Sequence, residues 1–340
     1  MADIKPKKAP LGAVEPKLPP YIEKLEAWPE PNPKWEVHHR EKLLTLEQEK
    51  AFTQNDRFYV IGSCFAERIR MGLEAEGIKV GPNYKAVPMA DDRYKIDTLP
   101  GRPHMNYYNS FAIRQEMDRH IGAWTQDPDD YWTLPKDFIW GSDKPIYQDP
   151  YRRLVFGRTP DDLREAISHV NAIMDEGIRN ADVFFMTMGL TETFVNKKTG
   201  LVACQRPAYG GGGGSEETEF RMSTYEENYA NMKRTVEVMR EVRPHARIFA
   251  TVSPVGIART FIGKDVYVAT TENKAILRAV LGALDREFDF VRYFPSYEIT
   301  MANGPNAFYE SDGRHVNPWL VKRLVRAFLD AHYDESAATA

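Results

Sequence analysis

The sequence predicts an α/β protein in which a mostly parallel sheet lies between two layers of helices, a three-layer α/β/α sandwich. Three short apolar segments have the character of buried strands: residues 58–61, Val183–Met188 and Arg247–Val252. Helical patterns separate these segments along the chain, and a parallel connection needs a crossover that a helix can supply. Continuous apolar runs are also typical of strands that helices cover on both faces.

The first strand leads into a helix through a tight turn. Residues 58–61 end at Gly62, and apolar side chains then recur at helical spacing, at Phe65, Ile69 and Leu73. Residues 78–80 begin a second strand. In chain order, the remaining predicted elements are a helix capped by Thr159, a helix from Ser223 or Thr224 to Val242, a helix at 274–288, a strand near 290–293 and a last helix capped by Asn317.

Composition divides the chain into a tail, an arm and one large domain. Residues 1–20 are rich in Pro and Lys and predict a flexible tail, and residues 21–55 predict an ordered but irregular N-terminal arm. The catalytic domain is expected over residues 56–335. Within it, residues 82–157 show no long periodicity, so we expect an insertion or lid there.

Charge and cysteine content exclude several classes of function. The chain of 340 residues has a formal net charge of −4, which argues against nucleic acid as a partner. Two cysteines cannot form a disulfide framework, and no run approaches the roughly 18 apolar residues of a membrane span.

No secretory signal pattern is visible, so the cytoplasm is the expected location. Cys204 is expected only to pack, because no ligand spacing around it suggests a zinc site. The oligomeric state stays open.

Three segments next to predicted strands or helices carry nucleophilic, acidic or basic side chains that could catalyse a reaction. Ligands of parallel sheets bind at the carboxyl ends of the strands, so these loops are the place to look. A helix N-terminus stabilises an oxyanion or a thiolate, which suits the first segment. The segments are Gly62-Ser63-Cys64 after the first strand, Gly189-Leu190-Thr191-Glu192 after Val183–Met188, and Asp312-Gly313-Arg314-His315 before the last helix.

The segment IGSCFAERI resembles the signature of the GSCFA domain family. The three segments, taken in their order along the chain, resemble the motifs of the SGNH/GDSL hydrolase superfamily. The resemblance extends from about residue 56 to the C-terminal helix, with YNSFAI, TVSPV and FPSYE adding to it. It implies a flavodoxin-like α/β/α sandwich and the chemistry of an acyl-ester hydrolase or acyltransferase.

The resemblance also implies roles for individual residues. A gapless match places Cys64 on the nucleophile, with Asp312 orienting His315 as the base. Ser63 is the alternative nucleophile, in which case Cys64 only packs. A helix N-terminus with His315 nearby is expected to depress the pKa of Cys64. Thr191 falls where the superfamily has an oxyanion-hole asparagine.

Further residues are expected around the oxyanion or the substrate. Gly62 allows the sharp turn, and Gly189 and Glu192 belong to the second segment. Asn109, or Asn106 in the same loop, could stand in for a glycine block of the superfamily that the sequence does not show. Thr191 and Glu192 could instead only cap the segment that follows them.

The predicted function is therefore that of an esterase or O-acyltransferase that works through a covalent acyl-enzyme and needs no metal or cofactor. We expect a small-molecule or carbohydrate substrate and a possible acyl donor. The carbohydrate part rests only on four aromatic residues of the insertion: Trp124, Tyr131, Trp132 and Trp140. The alternative is a catalytically silent module that binds a carbohydrate or a peptide in the same crevice.

Overall fold

The computed structural model describes residues 46, 48–87, 105–134, 146–153, 155–206, 218–309 and 311–335. The predicted tail, most of the N-terminal arm, Trp140 and the glycine run at 210–214 lie outside these residues. In chain order, the strands are β1 (Arg57–Gly62), β2 (Lys79–Gly81), β3 (Trp132–Leu134), β4 (Ile146–Gln148), β5 (Phe156–Gly157), β6 (Val183–Met188), β7 (Glu192–Asn196), β8 (Val202–Ala203), β9 (Thr218–Met222), β10 (Arg247–Val252) and β11 (Val291–Tyr293). The helices are α1 (Cys64–Ala75), α2 (Ser110–His120), α3 (Pro160–Arg179), α4 (Tyr225–Val242), α5 (Val266–Glu287), α6 (Ser296–Ala302) and α7 (Pro318–His332).

Five parallel strands form the central sheet, in the order β11-β10-β6-β1-β2. Counted along the chain within this sheet, the order is 2-1-3-4-5, which is that of flavodoxin-like doubly wound folds. The chain reverses direction across the sheet between β1 and β6. The loops that follow these two strands therefore face the same crevice, at the position where ligands of such folds bind.

The two faces of the sheet carry separate apolar cores. Side chains of a strand alternate between faces, so Tyr59 and Ile61 contact one core while Phe58 and Val60 contact the other. Helices α2, α3, α4 and α5 cover the first face, and α1, α6 and α7 cover the second. This arrangement confirms the three-layer α/β/α sandwich.

The segment at 82–157 contains more regular structure than its sequence predicts. It holds the helix α2, whose N-cap is Asn109, and strands β3, β4 and β5, which pair in antiparallel fashion. The lack of long periodicity in this part of the sequence therefore hid regular elements, which the described residues contain. A second antiparallel sheet, β8-β7-β9, follows β6 and was also not predicted.

Apart from α5, the other elements agree with the sequence within a few residues. Thr159 and Thr224 both cap their helices with capping boxes, in which each hydroxyl accepts from a backbone N–H and a carboxylate reaches back. Helix α5 begins at Val266, two turns before the predicted start. Phe52, in the described end of the N-terminal arm, packs on Phe58 and Phe328. Among the helices of the described residues, none combines the length and the hydropathy of a transmembrane span.

A buried ion-pair network joins parts of the 82–157 segment to one another and links them to α3, where Arg152 donates to Oδ1 of Asn171 at 2.6 Å. Arg152 Nε donates to Glu116 at 2.9 Å, and both side chains are almost fully buried. Tyr107 donates its hydroxyl to the same carboxylate at 2.7 Å. Burial opposes ionisation of Glu116, but the charges of Arg152 and Arg119 and the hydrogen bonds from Arg152 and Tyr107 outweigh it and lower its pKa to about 2. The network fixes the side chain of Tyr107, whose two neighbours in the chain, Asn106 and Tyr108, line the crevice.

Arg152→Met should lower the free energy of unfolding by about 3 kcal/mol, because it leaves a buried carboxylate short of its main counter-charge. Urea denaturation of the purified protein measures this. Arg164→Met is the matched control, since Arg164 pairs with Asp161 on the surface, where loss of a pair costs about 0.5 kcal/mol or less. Equal losses in the two variants would contradict the structural role of the network.

Candidate functional site

The turn after β1 is shaped by close contact with β6. Gly62 has a φ of +139°, and a Cβ there would collide with the backbone oxygen of Thr187. A glycine is therefore required, as the sequence suggested. The N–H of Ser63 lies 3.0 Å from Oγ1 of Thr187, and the two hydroxyl oxygens lie 2.9 Å apart. These bonds hold the chain at the point where it enters α1.

Ser63 is the N-cap of α1 and is almost fully buried. Its hydroxyl oxygen accepts from the N–H of Phe65 at 3.3 Å and contacts Thr187, so two structural bonds occupy it. Cys64 is the first residue of the helix and is partly exposed. The geometry thus gives the serine a capping role and leaves Cys64 as the more exposed of the two residues.

His315 and Asp312 form a pair in the turn before α7. Nδ1 of His315 lies 2.5 Å from Oδ2 of Asp312, and the N–H groups of Arg314 and His315 donate to Oδ1 at 2.9 and 3.0 Å. Burial slightly opposes ionisation of Asp312, but these bonds outweigh it and hold its pKa well below the usual range. A carboxylate only accepts, so Nδ1 carries a proton and Nε2 is left for the cavity.

One cavity of about 480 Å³ brings most of the predicted site residues together. Its lining includes Ser63, Cys64, Gly189, Glu192 and His315, which come from three loops at the carboxyl edge of the sheet. No hydrogen bond between described atoms joins Cys64 to His315. The 82–157 segment supplies Asn106, Tyr108 and Arg153 to the wall, which agrees with the expectation that it borders the crevice.

Thr191 does not have the position expected of an oxyanion donor. It lies outside the cavity lining, its hydroxyl donates to Oδ1 of Asn273 at 2.8 Å, and its N–H donates to the same oxygen at 2.7 Å. Asn109 is likewise outside the lining, because its amide caps α2 and donates to the carbonyl of Ala203 at 2.9 Å. Both residues are structural, and of the two asparagines it is Asn106 that faces the cavity.

Gly189 and Glu192 reach the cavity but have structural partners. A Cβ on Gly189 would lie 3.0 Å from the carbonyl oxygen of Tyr108 and 3.2 Å from Cβ of Ser63, so only glycine fits without displacement. The Glu192 carboxylate accepts from the hydroxyl of Thr260 at 2.7 Å and from the N–H of Phe261 at 2.9 Å. It secures the loop after β10 against β7.

A buried lysine that sequence reasoning missed lies beneath the site. Lys274 of α5 is 1% exposed, and its Nζ donates to the carbonyl oxygen of Gly189 at 2.8 Å. Burial lowers the pKa of Lys274 to about 7, while interaction with Cys64 raises it. Its position in a helical pattern gives no hint of burial, since lysine normally marks the solvent face.

The environment of Cys64 opposes the depressed pKa that the helix N-terminus predicts. Burial of the thiol raises its pKa, and the charges of Arg314, Lys274 and Arg153 offset this only in part. Cys64 therefore rests as a thiol and needs a base. Burial also raises the pKa of Cys204 to about 12, and its Sγ donates to the carbonyl of Asn106 at 3.4 Å.

Of the four aromatic residues that suggested a carbohydrate, the three that the structure describes do not line the cavity. Trp132 is fully buried, Tyr131 is nearly so, and Trp124 packs edge-on against Tyr151 with ring centroids 5.1 Å apart. Instead, the cavity wall carries Phe194 and Phe261. Within the described residues, no group of three or more His, Cys, Asp or Glu side chains is arranged to hold a metal ion.

Comparisons with known proteins give a family. Residues 57–328 match the GSCFA family. Comparison with curated proteins finds no match. Among solved structures, the chain is similar to a protein from Streptococcus pneumonia described as "a putative platelet activating factor", with 14% identity over 44% of this chain and 60% of that chain, at a TM-score of 0.25. The match thus spans less than two thirds of that protein and supports no argument about fold or function.

The family match begins at the first residue of β1 and ends inside α7. It includes all five strands of the central sheet and the three loops that build the cavity. Because it extends over most of the 340 residues, this chain belongs to the GSCFA family.

Proposed function

We propose that the protein is an acyl-ester hydrolase or O-acyltransferase that works through a thioester on Cys64. The observation that carries the proposal is one cavity that contains Cys64, at the first position of α1, and His315, whose ring is held by Asp312. A nucleophile, a base and a group that orients the base are the three parts of a covalent acyl-transfer site. Their order along the chain resembles that of the SGNH/GDSL superfamily.

In the proposed first step, Nε2 of His315 takes the proton of the Cys64 thiol as Sγ attacks the acyl carbon. The carbon–oxygen bond of the ester then breaks, and the departing alkoxide takes that proton from His315. Water or a second alcohol next attacks the thioester, giving its proton to His315 and then to Sγ. The distance between Cys64 and His315 can shorten when substrate binds, because catalytic hydrogen bonds are often long in unliganded proteins.

The oxyanion of the tetrahedral intermediate needs a donor other than Thr191. The first N–H groups of a helix have no partner within the helix. In α1, the N–H of Phe65 donates to Oγ of Ser63 and that of Ala66 to the carbonyl of Ser63. The N–H of Cys64 is the remaining donor at this helix end. Such a donor typically contributes about 3 to 4 kcal/mol of transition-state stabilisation.

The cations around Cys64 support the thiolate once it forms. Arg314, Lys274 and Arg153 each favour the charged form of the thiol, while burial disfavours it. Lys274 acts from below the cavity floor, through its bond to Gly189, so it is a positioning residue rather than a catalytic one. Because burial and the nearby charges oppose each other, Cys64 stays a thiol at rest, and a base can convert it to the thiolate.

Cys64→Ala should abolish acyl-adduct formation and lower turnover by roughly 10³-fold or more, as loss of a nucleophile does in triad enzymes. The measurement is a screen of short acyl esters and acyl-thioester donors, followed by mass spectrometry of the intact protein. Ser63→Ala is the matched control. It should keep the adduct but lower the free energy of unfolding by about 1 kcal/mol, since it removes a helix cap.

If Ser63→Ala instead loses the adduct and Cys64→Ala keeps turnover, the nucleophile is Ser63. If no ester or thioester in the screen gives an adduct and ligand affinity survives both substitutions, the protein is a binding module instead. His315→Gln adds an internal check, because it removes the base while leaving the thiol in place, and it should slow adduct formation without abolishing it.

Lys274→Met should change how stability depends on pH. The folded protein releases the Lys274 proton near pH 7, whereas an unfolded lysine keeps it to about pH 10.4, so this group makes stability rise with pH between these values. From pH 7.5 to 9 the rise is about 2 kcal/mol, and the variant should lack it. Urea denaturation of both proteins at several pH values measures the difference.

Lys264→Met, which removes an exposed lysine at the start of α5, controls for the loss of one positive charge. Thiols and tyrosines with raised pKa values oppose the rise at higher pH in both proteins, so the comparison is made as a difference between variants. Parallel stability curves for wild type and Lys274→Met would show that Lys274 stays charged in the folded protein.

A further inference from the structure

The cavity that contains Cys64 is far more positive than the chain as a whole. Five arginines line it against two glutamates, an excess of three formal positive charges, whereas the whole chain has a net charge of −4. Low-dielectric walls concentrate the field of such a cluster inside a cleft. The arginines come from five separate parts of the chain: Arg68, Arg153, Arg206, Arg259 and Arg314.

Two of these arginines lie over aromatic rings of the wall. The Arg206 guanidinium lies over Phe261 at 5.1 Å and over Phe194 at 5.6 Å, measured to the ring centroids. Arg153 lies 5.7 Å from the ring centroid of Tyr108. Stacking fixes the plane of a guanidinium, and its N–H groups lie in that plane, where they match a carboxylate or a phosphate.

The cavity carboxylate of Glu192 has a different task. Its two oxygens accept from Thr260 and Phe261, so it anchors the loop that carries Arg259. Glu192, one of the two acidic residues of the lining, therefore holds a basic part of the wall in place.

A second, independent feature of the wall points to a ligand with hydroxyl groups. Asn106 and Gln205 are 1% and 8% exposed and line the cavity. Oδ1 of Asn106 and both amide atoms of Gln205 have no hydrogen-bond partner among the described residues. Buried polar atoms are normally hydrogen-bonded, and a ligand with hydroxyl groups can both donate to and accept from these amides.

We infer that the cavity selects small hydroxylated substrates that carry an anionic group, with the arginines binding the anion and the two amides binding hydroxyls. This inference rests on the proposed function for its reaction but not for its binding chemistry. A carboxylate, a phosphate and a sulfate share the chemistry that the arginines recognise.

The field in the cavity can be tested without any catalytic turnover. Iodoacetate and iodoacetamide alkylate thiols by the same displacement of iodide, and only the first is an anion. Both reagents react with the thiolate, so the ratio of their rate constants at Cys64 does not depend on the fraction of the thiol that is ionised. We expect this ratio to be about tenfold or more above that of free cysteine under the same conditions, because the cavity raises the local anion concentration. Peptide mass spectrometry separates reaction at Cys64 from reaction at Cys204.

The arginines are tested by exchange for glutamine. The double variant Arg206→Gln, Arg259→Gln should bring the ratio toward that of free cysteine, and so should 1 M salt, which shortens the Debye length from about 10 Å at 0.1 M to about 3 Å. Arg179→Gln is the matched control, since Arg179 ends α3 at the opposite edge of the sheet. A ratio in wild type no higher than that of free cysteine, or one that the double variant leaves unchanged, overturns the inference.

Protection of Cys64 from iodoacetamide tests the ligand class. D-Glucuronate, D-glucose 6-phosphate and D-glucose 6-sulfate distinguish the three anions, D-glucose lacks the charge, and cyclohexanecarboxylate lacks the hydroxyls. We expect at least one of the three charged sugars to protect at concentrations at which the last two compounds do not. Equal protection by D-glucose overturns the anion part, and equal protection by cyclohexanecarboxylate overturns the hydroxyl part.

The outcomes remain separate from those for the proposed function. A raised alkylation ratio without any acyl adduct in the ester screen leaves the anion site standing and removes the acyl-transfer chemistry. An acyl adduct together with an alkylation ratio no higher than that of free cysteine supports the acyl-transfer chemistry and removes the anion site.

Discussion

The contact between Gly62 and Thr187 is the constraint on which the site depends. The central strands β1 and β6 pair in parallel up to these two residues, and the turn then brings its backbone so close to β6 that no side chain fits. Thr187 uses both its backbone and its hydroxyl to hold Ser63. Because Ser63 is fixed as the cap of α1, Cys64 is fixed as the first residue of that helix.

The second strand-end loop is held by α5 rather than by the sheet. Asn273 receives two N–H groups and a hydroxyl from residues 191–192, and its neighbour Lys274 donates to the carbonyl of Gly189. Two successive buried polar residues of one helix thus shape the loop opposite Cys64. Such buried groups are stable only when each is bonded, which explains why Thr191 has no hydroxyl proton left for a ligand.

The sequence was informative where apolar patterns are continuous, and uninformative where burial is polar. Strands β6 and β10 have the bounds that their apolar runs predict, because both faces of these strands are covered. Helix α2 escaped detection because its inner face includes Glu116, which is buried only by virtue of Arg152, a partner 36 residues away. The convergence of the three motifs followed from strand topology, but the hydrogen bonds that occupy Thr191 and Asn109 depend on Asn273 and Ala203, whose proximity no local pattern reveals.

Opposing influences on Cys64 give the cavity its character. The same burial that raises the pKa of the thiol also strengthens every charge around it, since a desolvated site screens poorly. In the proposed function and ligand class, the arginines act on two kinds of anion, a thiolate formed in the cavity and a charged group brought by a ligand. In the proposed mechanism, a ligand anion that engages Arg206 and Arg259 leaves Arg314 to support the thiolate.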